Sequence, residues 1–330
     1  MKYILVTGGA GYIGSYMCKC LAKNSYKPIV LDNLVCGHRE AVKWGPFFEG
    51  SIADKTLLMH IFSTYEFAAV MHFAAFCYVD ESVIEPIKYY QNNVANTINL
   101  LEVMIEKNVS NFIFSSSCAT YGEPIETPIT EHHPQNPINP YGKSKLMVEQ
   151  ILDDSRNIYG LKSVSLRYFN AAGADPEGEV GEDHTPETHL IPLVLQTALG
   201  QKQVINIYGD DYPTEDGTCI RDYIHISDLA QAHLLALERL LNRQLTGYNY
   251  NLGNRKGYSV KQVIETAQKI TQKKIPTRTM KRRSGDPSVL IGSTEKAVKE
   301  LRWKPQFSDL ETIIETAWKW HENNPHGYRT

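Results

Sequence analysis

Hydrophobic positions in the first half of the chain fall into two alternating kinds of run. Short apolar stretches rich in β-branched residues, at 3–7, 29–32, 47–50, 69–75, 111–117 and 164–168, predict strands, the second entered through Pro28. Between them, residues 12–23, 56–64, 86–107 and 141–159 carry apolar positions at helical spacing, the third with an Asn-rich middle. This alternation implies βαβ units: an α/β fold with a Rossmann-type, doubly wound parallel sheet and right-handed crossovers. Near residue 170 the rhythm breaks. Residues 173–187 read as a loop rich in Gly, Pro and acids; helices are expected at 190–199, 227–241, 260–271 and 310–320, and a short strand at 204–208. The expectation is a nucleotide-binding domain over 1–170 that takes in parts of later segments. A smaller α/β substrate domain over 171–330 interleaves with it.

Composition narrows the class. The chain has 330 residues, 42% of them hydrophobic and 22% charged, enough for a large core. Its 34 basic and 37 acidic side chains leave a formal charge of −3, which argues against nucleic acid or an anionic membrane as partner. No run approaches the roughly 20 apolar residues of a membrane span. The opening apolar run turns at once into a Gly-rich loop, unlike a signal peptide. The six Cys show neither a CxxC nor a Cys/His spacing that would hold a metal, and His132-His133 read as a solvated pair. Reduced thiols, a cytoplasmic location and no metal are expected.

Gly8, Gly11 and Gly14 fall between the first strand and the first helix, where a tight turn and a helix N-terminus suit a pyrophosphate. Asp32, 18 residues beyond Gly14, ends the second strand and would accept from ribose hydroxyls. A carboxylate there favours NAD over NADP, and Asn33, Leu34, Val35, Cys36 and Gly37 add no cation for a 2′-phosphate. Tyr141 and Lys145, at i and i+4, share one helix face. With Ser117, closing a Ser-Ser-Ser run at a strand end, they form a candidate proton-transfer triad.

These segments, with His72 to Ala75, Tyr89 to Asn93, Tyr168-Phe169-Asn170, Gly209 to Asp216, Arg221 to His225 and Arg282 to Asp286, resemble the extended short-chain dehydrogenase/reductase family, in particular its nucleotide-sugar epimerases. The similarity covers almost the whole chain. It implies NAD-dependent inversion at C4 of UDP-hexoses through a transient 4-keto sugar. In that scheme Tyr141 takes the 4-hydroxyl proton, Ser117 assists, and Lys145 holds the nicotinamide ribose and depresses the Tyr141 pKa. It further implies NAD contacts from Tyr12, Ile13, Ser51, Ile52, Phe73, Ala74, Ala75, Cys77, Asn92 and Phe169, beside the Gly loop, residues 32–37 and the triad. UDP-sugar contacts are implied for Asn170, His189, Leu190, Asn206, Ile207, Tyr208, Arg221, Arg283, Asp286 and Leu290. Relatives pair as homodimers through helices matching 86–107 and 141–159. Departures at Ser51, where Asp is usual, and at Cys77, where Lys is common, point to a weaker hold on NAD; Asp80 and Tyr16 also differ. Alternatives are N-acetylhexosamine epimerisation, with Leu290 setting the room at the sugar, or a dehydratase. The absence of a carboxylate between Ser117 and Glu123 counts against the dehydratase, and the intact triad against a non-catalytic NAD-binding regulator.

Overall fold

The apolar runs assemble into one seven-stranded sheet whose pairings are all parallel. The computed structural model describes residues 1–245, 247–283 and 286–328; Ser284 and Gly285, within the Arg282-to-Asp286 segment, lie outside the described residues. The first six strands are β1 (Tyr3–Thr7), β2 (Lys27–Asp32), β3 (Phe47–Glu49), β4 (Phe67–His72), β5 (Asn111–Ser117) and β6 (Lys162–Tyr168). Helices α1 (Tyr12–Lys23), α2 (Lys55–Thr64), α3 (Val79–Ile84), α4 (Pro86–Tyr89), α5 (Asn96–Glu106) and α6 (Pro140–Tyr159) connect them. A π-turn at Tyr90–Ala95 joins α4 to α5, so the long helix expected at 86–107 is broken in its Asn-rich middle.

The second half supplies β7 (Asn170–Ala172), α7 (Leu190–Ala198), β8 (Ile205–Tyr208), β9 (Ile220–Arg221), β10 (Tyr223–His225), α8 (Ile226–Leu241), β11 (Asn249–Leu252), β12 (Tyr258–Ser259), α9 (Val260–Thr271), β13 (Thr277–Met280), β14 (Val289–Leu290) and α10 (Leu310–Asn323). Among these, β7 pairs with β10, β8 with β13, and β9 sits between β12 and β14. β11 instead returns to the large sheet, whose spatial order is β11-β6-β5-β4-β1-β2-β3.

Alternation along the strands makes two cores. Ile4, Val6, Val30, Met71, Ile113 and Leu166 face a layer that includes α1 and α8. Leu5, Ile29, Leu31, Val70, Phe112 and Phe114 face α2, α5 and α6. Both faces of a parallel sheet are thus covered, as such sheets require. Three expectations are corrected. β11 was not expected, because its Asn-Tyr-Asn-Leu sequence lacks an apolar run. β4 ends at His72 rather than 75, because the Phe73 and Ala74 N–H groups both donate to Thr7 O, at 2.9 and 3.1 Å, and the chain leaves the sheet. His133 is buried, not solvated: its Nε2 accepts from the Ile125 N–H at 2.9 Å.

A buried ion pair ties three elements together beneath the strand ends. The Arg167 guanidinium on β6 makes two bonds to the Glu149 carboxylate on α6, Nε–Oε1 at 2.9 Å and Nη2–Oε2 at 2.6 Å. Ser116 on β5 donates to Glu149 at 2.5 Å, and Arg167 Nη1 donates to the Tyr121 hydroxyl at 2.9 Å. Tyr121 donates in turn to Asn251 of β11 at 2.7 Å. Removing one partner of such a pair leaves an uncompensated charge in a dry site, which costs about 3–5 kcal/mol. The Glu149→Ala protein is therefore expected to lose about that much stability in urea denaturation. A loss below about 1 kcal/mol would mean that water reaches the pair.

Candidate active site

A cleft of about 630 Å³ opens at the C-terminal ends of the sheet strands and continues toward β8 and β9. Parallel α/β sheets place ligands at such an edge. The cleft is lined by every residue expected to touch cofactor or substrate except two. Leu34 lies off the lining: at φ 58° it turns back, and its N–H donates to Asp32 Oδ1 at 2.8 Å. Ile207 points into the core with Ile205, Val194 and Ile264.

The glycines act in different ways. Gly8 sits at φ +74°, and a Cβ there would lie 2.5 Å from Ala74 N. A Cβ on Gly14 would lie 2.1 Å from the Gly8 carbonyl oxygen, so helix and loop close only on glycine. A Cβ on Gly11 would meet only that oxygen, at 3.4 Å, and Gly11 lines the cleft. Gly11 also heads α1 with no side-chain cap, which leaves helix N–H groups available to an anion. Asp32 is buried. Its Oδ2 accepts from Ala10 N at 2.9 Å, fixing the carboxylate at the end of β2. Burial raises its pKa, against the pull of the Leu34 and Ala10 N–H groups. Together these features fit a dinucleotide: an open glycine cradle, an uncapped helix start and a fixed carboxylate.

Of the two departures from the family, Ser51 lines the cleft with its hydroxyl oxygen already accepting from Ala53 N at 3.1 Å, and Cys77 lines it with an exposed side chain. Asn92 donates to Asn93 Oδ1 at 3.0 Å. Asn93, which sequence reasoning passed over, grips the backbone N–H and C=O of Phe76 at 2.9 and 3.0 Å and donates to Ser144 at 3.1 Å. It therefore ties the loop after β4 to α6. Its place in the Asn-rich middle of the broken helix is the sequence signal for it.

Ser117, Tyr141 and Lys145 converge on this floor. Ser117 ends β5, and its hydroxyl oxygen accepts from Ala119 N at 3.1 Å. α6 starts sharply: Asn139 accepts from the Gly142 N–H at 2.8 Å and Pro140 occupies the first turn, so Tyr141 is presented at the helix tip. Lys145 Nζ donates to the Ser115 carbonyl at 2.7 Å and lies 5.8 Å from the Tyr141 ring centre. Burial drives the two groups oppositely. It raises the Tyr141 phenol well above its ordinary value, with the Ser117 hydroxyl pulling the other way. It lowers Lys145 to about 8. The surroundings of Tyr141 within the chain therefore do the reverse of the expected depression. Tyr168, paired through its hydroxyl with Ser115, also lines this region.

The opposite wall is polar. Asn206 Oδ1 is a buried acceptor without a hydrogen-bond partner among the described residues. Arg283 stacks on Tyr208, 4.1 Å from the ring centre, and Arg221 pairs with Asp286 while also donating to Ile220 O at 2.7 Å. Asn170 Nδ2 is held by Asp222 O at 2.8 Å. Leu290 packs with Phe169, Cys118, Tyr121 and Ile129. At the edge, Glu182, His184 and His189 line the cleft beside Leu190. With Glu187 they form a cluster of potential metal ligands, marked in the sequence by a repeated Glu-x-His pair rather than by a Cys/His spacing. Burial would lower His184, but the facing Glu182 and Glu187 carboxylates outweigh it and hold it up at about 10.

Residues 4–253 match the NAD dependent epimerase/dehydratase family. The UDP-glucose 4-epimerase of Halalkalibacterium halodurans is 54% identical over 327 residues, spanning 99% of this chain and 98% of that protein. The crystal structure of a UDP-glucose 4-epimerase from Brucella ovis in complex with NAD superimposes with a TM-score of 0.94 at 48% identity, covering 99% of each chain. The Bifidobacterium longum UDP-glucose 4-epimerase, crystallised with NAD+ and UDP, gives 0.93 at 38% identity, covering 99% of this chain and 100% of that one.

The lowered Lys145 pKa has a sign that can be tested. Between about pH 8 and 10.5 the unfolded chain holds a proton on this amine that the folded chain does not. Stability contributed here therefore rises with pH across that window, by about 3 kcal/mol at 1.36 kcal/mol per pKa unit. Urea unfolding measured at pH 8 and pH 10 should show about 2 kcal/mol of this gain in the unaltered protein relative to Lys145→Met. Equal pH slopes for the two proteins would mean that the amine is not desolvated.

Proposed function

Since the chain belongs to the NAD dependent epimerase/dehydratase family, we propose that it inverts C4 of UDP-hexoses, interconverting UDP-galactose and UDP-glucose. The observation that carries this reading is the convergence of Ser117, Tyr141 and Lys145 at one end of a cleft. The other end holds a glycine cradle, and the far wall an unpartnered Asn206 acceptor and two arginines. We assign NAD to the large sheet with Gly8, Gly11, Gly14 and Asp32, and the UDP-sugar to the smaller β8–β9 side. Bound NAD would supply the reversible hydride acceptor, its positively charged nicotinamide ring.

The chain's own groups do the rest. The phenol oxygen of Tyr141 takes the proton of the sugar 4-hydroxyl as the C4 hydrogen leaves with its electron pair, and returns it after the keto sugar has turned over. Ser117 carries the hydrogen bond between the two oxygens. Lys145, anchored on Ser115 O, places positive charge near the phenolate as it forms. Because burial alone holds Tyr141 protonated, the base form depends on that local positive charge. Asn206 suits the uracil N–H, and Arg221 and Arg283 suit the diphosphate, so the nucleotide stays anchored while the sugar rotates.

We also read the enzyme as a cytoplasmic homodimer. The six cysteines are all free, as a reducing compartment requires. Ile84 and Ile87, 81% and 76% exposed, join Val83 and Met147 in an apolar surface on α3, α4 and α6. Sedimentation equilibrium should return twice the 37.4 kDa chain mass, and the Ile84→Glu/Ile87→Glu protein a single chain. A monomeric unaltered protein would rule the dimer out.

The central test incubates the protein with UDP-galactose and follows UDP-glucose and absorbance of reduced cofactor. Interconversion without net reduction is expected, and UDP-N-acetylgalactosamine should turn over roughly 5–150-fold more slowly, since overpacking against the Leu290 wall costs about 1–3 kcal/mol. Tyr141→Phe should lower kcat by about 10²–10⁴-fold with UDP binding retained. A stable oxidised sugar accompanied by stoichiometric NADH would instead make the enzyme a dehydrogenase.

A further inference from the structure

We propose that Glu182, His184, Glu187 and His189 form a four-ligand site for a divalent transition cation of the zinc type, at the margin of the substrate cleft. Each residue offers one ligand atom, and the four lie within 4.8 Å of one another. The edges of the group are shorter still. His189 Nδ1 lies 2.9 Å from Glu182 Oε1 and 2.9 Å from Glu187 Oε1. His184 Nδ1 lies 3.4 Å from Glu182 Oε1 and 3.6 Å from Glu187 Oε2. A tetrahedron with bonds of about 2.0–2.2 Å has edges of about 3.3–3.6 Å, so the four His–Glu edges already lie within a few tenths of an ångström of it, and the two remaining separations, within 4.8 Å, must close by up to about an ångström. Two imidazoles and two carboxylates are a donor set that zinc accepts.

A second observation is independent of the clustering. His184 Nδ1 is buried and has no hydrogen-bond partner, although it faces two carboxylates. At 3.4 and 3.6 Å those carboxylates meet it as charges without hydrogen-bond geometry, and coordination would give it a directed partner. Glu187 is already oriented from behind, as metal-bound carboxylates are: its Oε1 accepts from the Thr188 and His189 N–H groups at 2.7 and 2.8 Å. A separate cavity of about 180 Å³, bordered by His184, Asp183, His321 and His326, reaches the cluster from the side away from the cleft and offers a polar route for a hydrated ion. Four protein ligands make a closed site, so the cation's role is to brace the segment between Gly173 and α7 rather than to activate water.

The experiment uses the full chain with its nucleotide, stripped with a chelator and then titrated with ZnCl₂ or CoCl₂. One equivalent bound per chain is expected by equilibrium dialysis with elemental analysis, and Co²⁺ should give the visible bands of a tetrahedral site. At a free Zn²⁺ concentration of about 100 times Kd, the Tm should rise by about 4 °C. His184→Asn and Glu187→Gln should each weaken binding by at least about 100-fold. His326→Asn, which touches only the second cavity, should leave it unchanged. Substoichiometric binding by the unaltered protein would overturn the proposal whether or not the variants fold. So would unchanged affinity in both ligand variants. Neither readout depends on epimerase turnover, so failure here leaves the catalytic reading standing.

Discussion

A guanidinium and a carboxylate, both removed from water, hold together the three elements that carry the proposed reacting groups. Arg167 sits on β6, one residue before Tyr168 enters the cleft; Glu149 sits on α6, one turn below Lys145; Ser116, the residue before Ser117, donates into the same carboxylate. Lys145 is thus one turn from Glu149, Tyr141 lies one further turn up the same helix, and Ser117 follows the serine that bonds the carboxylate. In a low-dielectric interior such a pair is sharply intolerant of displacement, because every lost hydrogen bond leaves charge unsolvated. The precision that proton transfer needs, a few tenths of an ångström, is therefore imposed from beneath the cleft, away from the substrate.

Above that pair the same dryness acts on chemistry. Burial favours the neutral form of both Tyr141 and Lys145, so the phenol rises and the amine falls to about 8. Neither group alone is a base poised near neutrality. They become useful together, since positive charge near the phenol is worth more in a dry pocket than in water. Family resemblance points to a lowered tyrosine, whereas the residues themselves show how much of that lowering must come from charge brought into the pocket.

The large sheet was legible because its strands are buried on both faces and read as plain apolar runs, and because glycine spacing at 8, 11 and 14 has few structural uses. β11 was not: with Asn249 and Asn251 alternating with Tyr250 and Leu252, it carries only two apolar residues, and its place is set by Asn251 bonding to Tyr121 and Ile129 rather than by propensity. The Ile207 side chain faces the core, as strand periodicity predicts for the residue between Asn206 and Tyr208 on β8. His133 looked solvated in a Pro-rich loop, yet its ring closes that loop from inside. The Asn93 clamp depends on contacts between segments, which no local pattern encodes, whereas the Glu182-to-His189 cluster is local and carries its mark in the repeated Glu-x-His pair.

The return of β11 to the large sheet ties the architecture to the order of synthesis. β6 is complete at Tyr168, but its outer neighbour ends at Leu252, 252 − 168 = 84 residues later. At about 5–20 residues per second the ribosome needs roughly 4–17 s to deliver that segment. During this interval β6 presents an unpaired edge, and the Arg167–Tyr121 hydrogen bonds lack their Asn251 terminus. Exposed parallel edges are where nascent chains recruit the wrong partner. The nucleotide-binding layer is therefore among the last parts of the molecule to be sealed, although most of its sequence is made first.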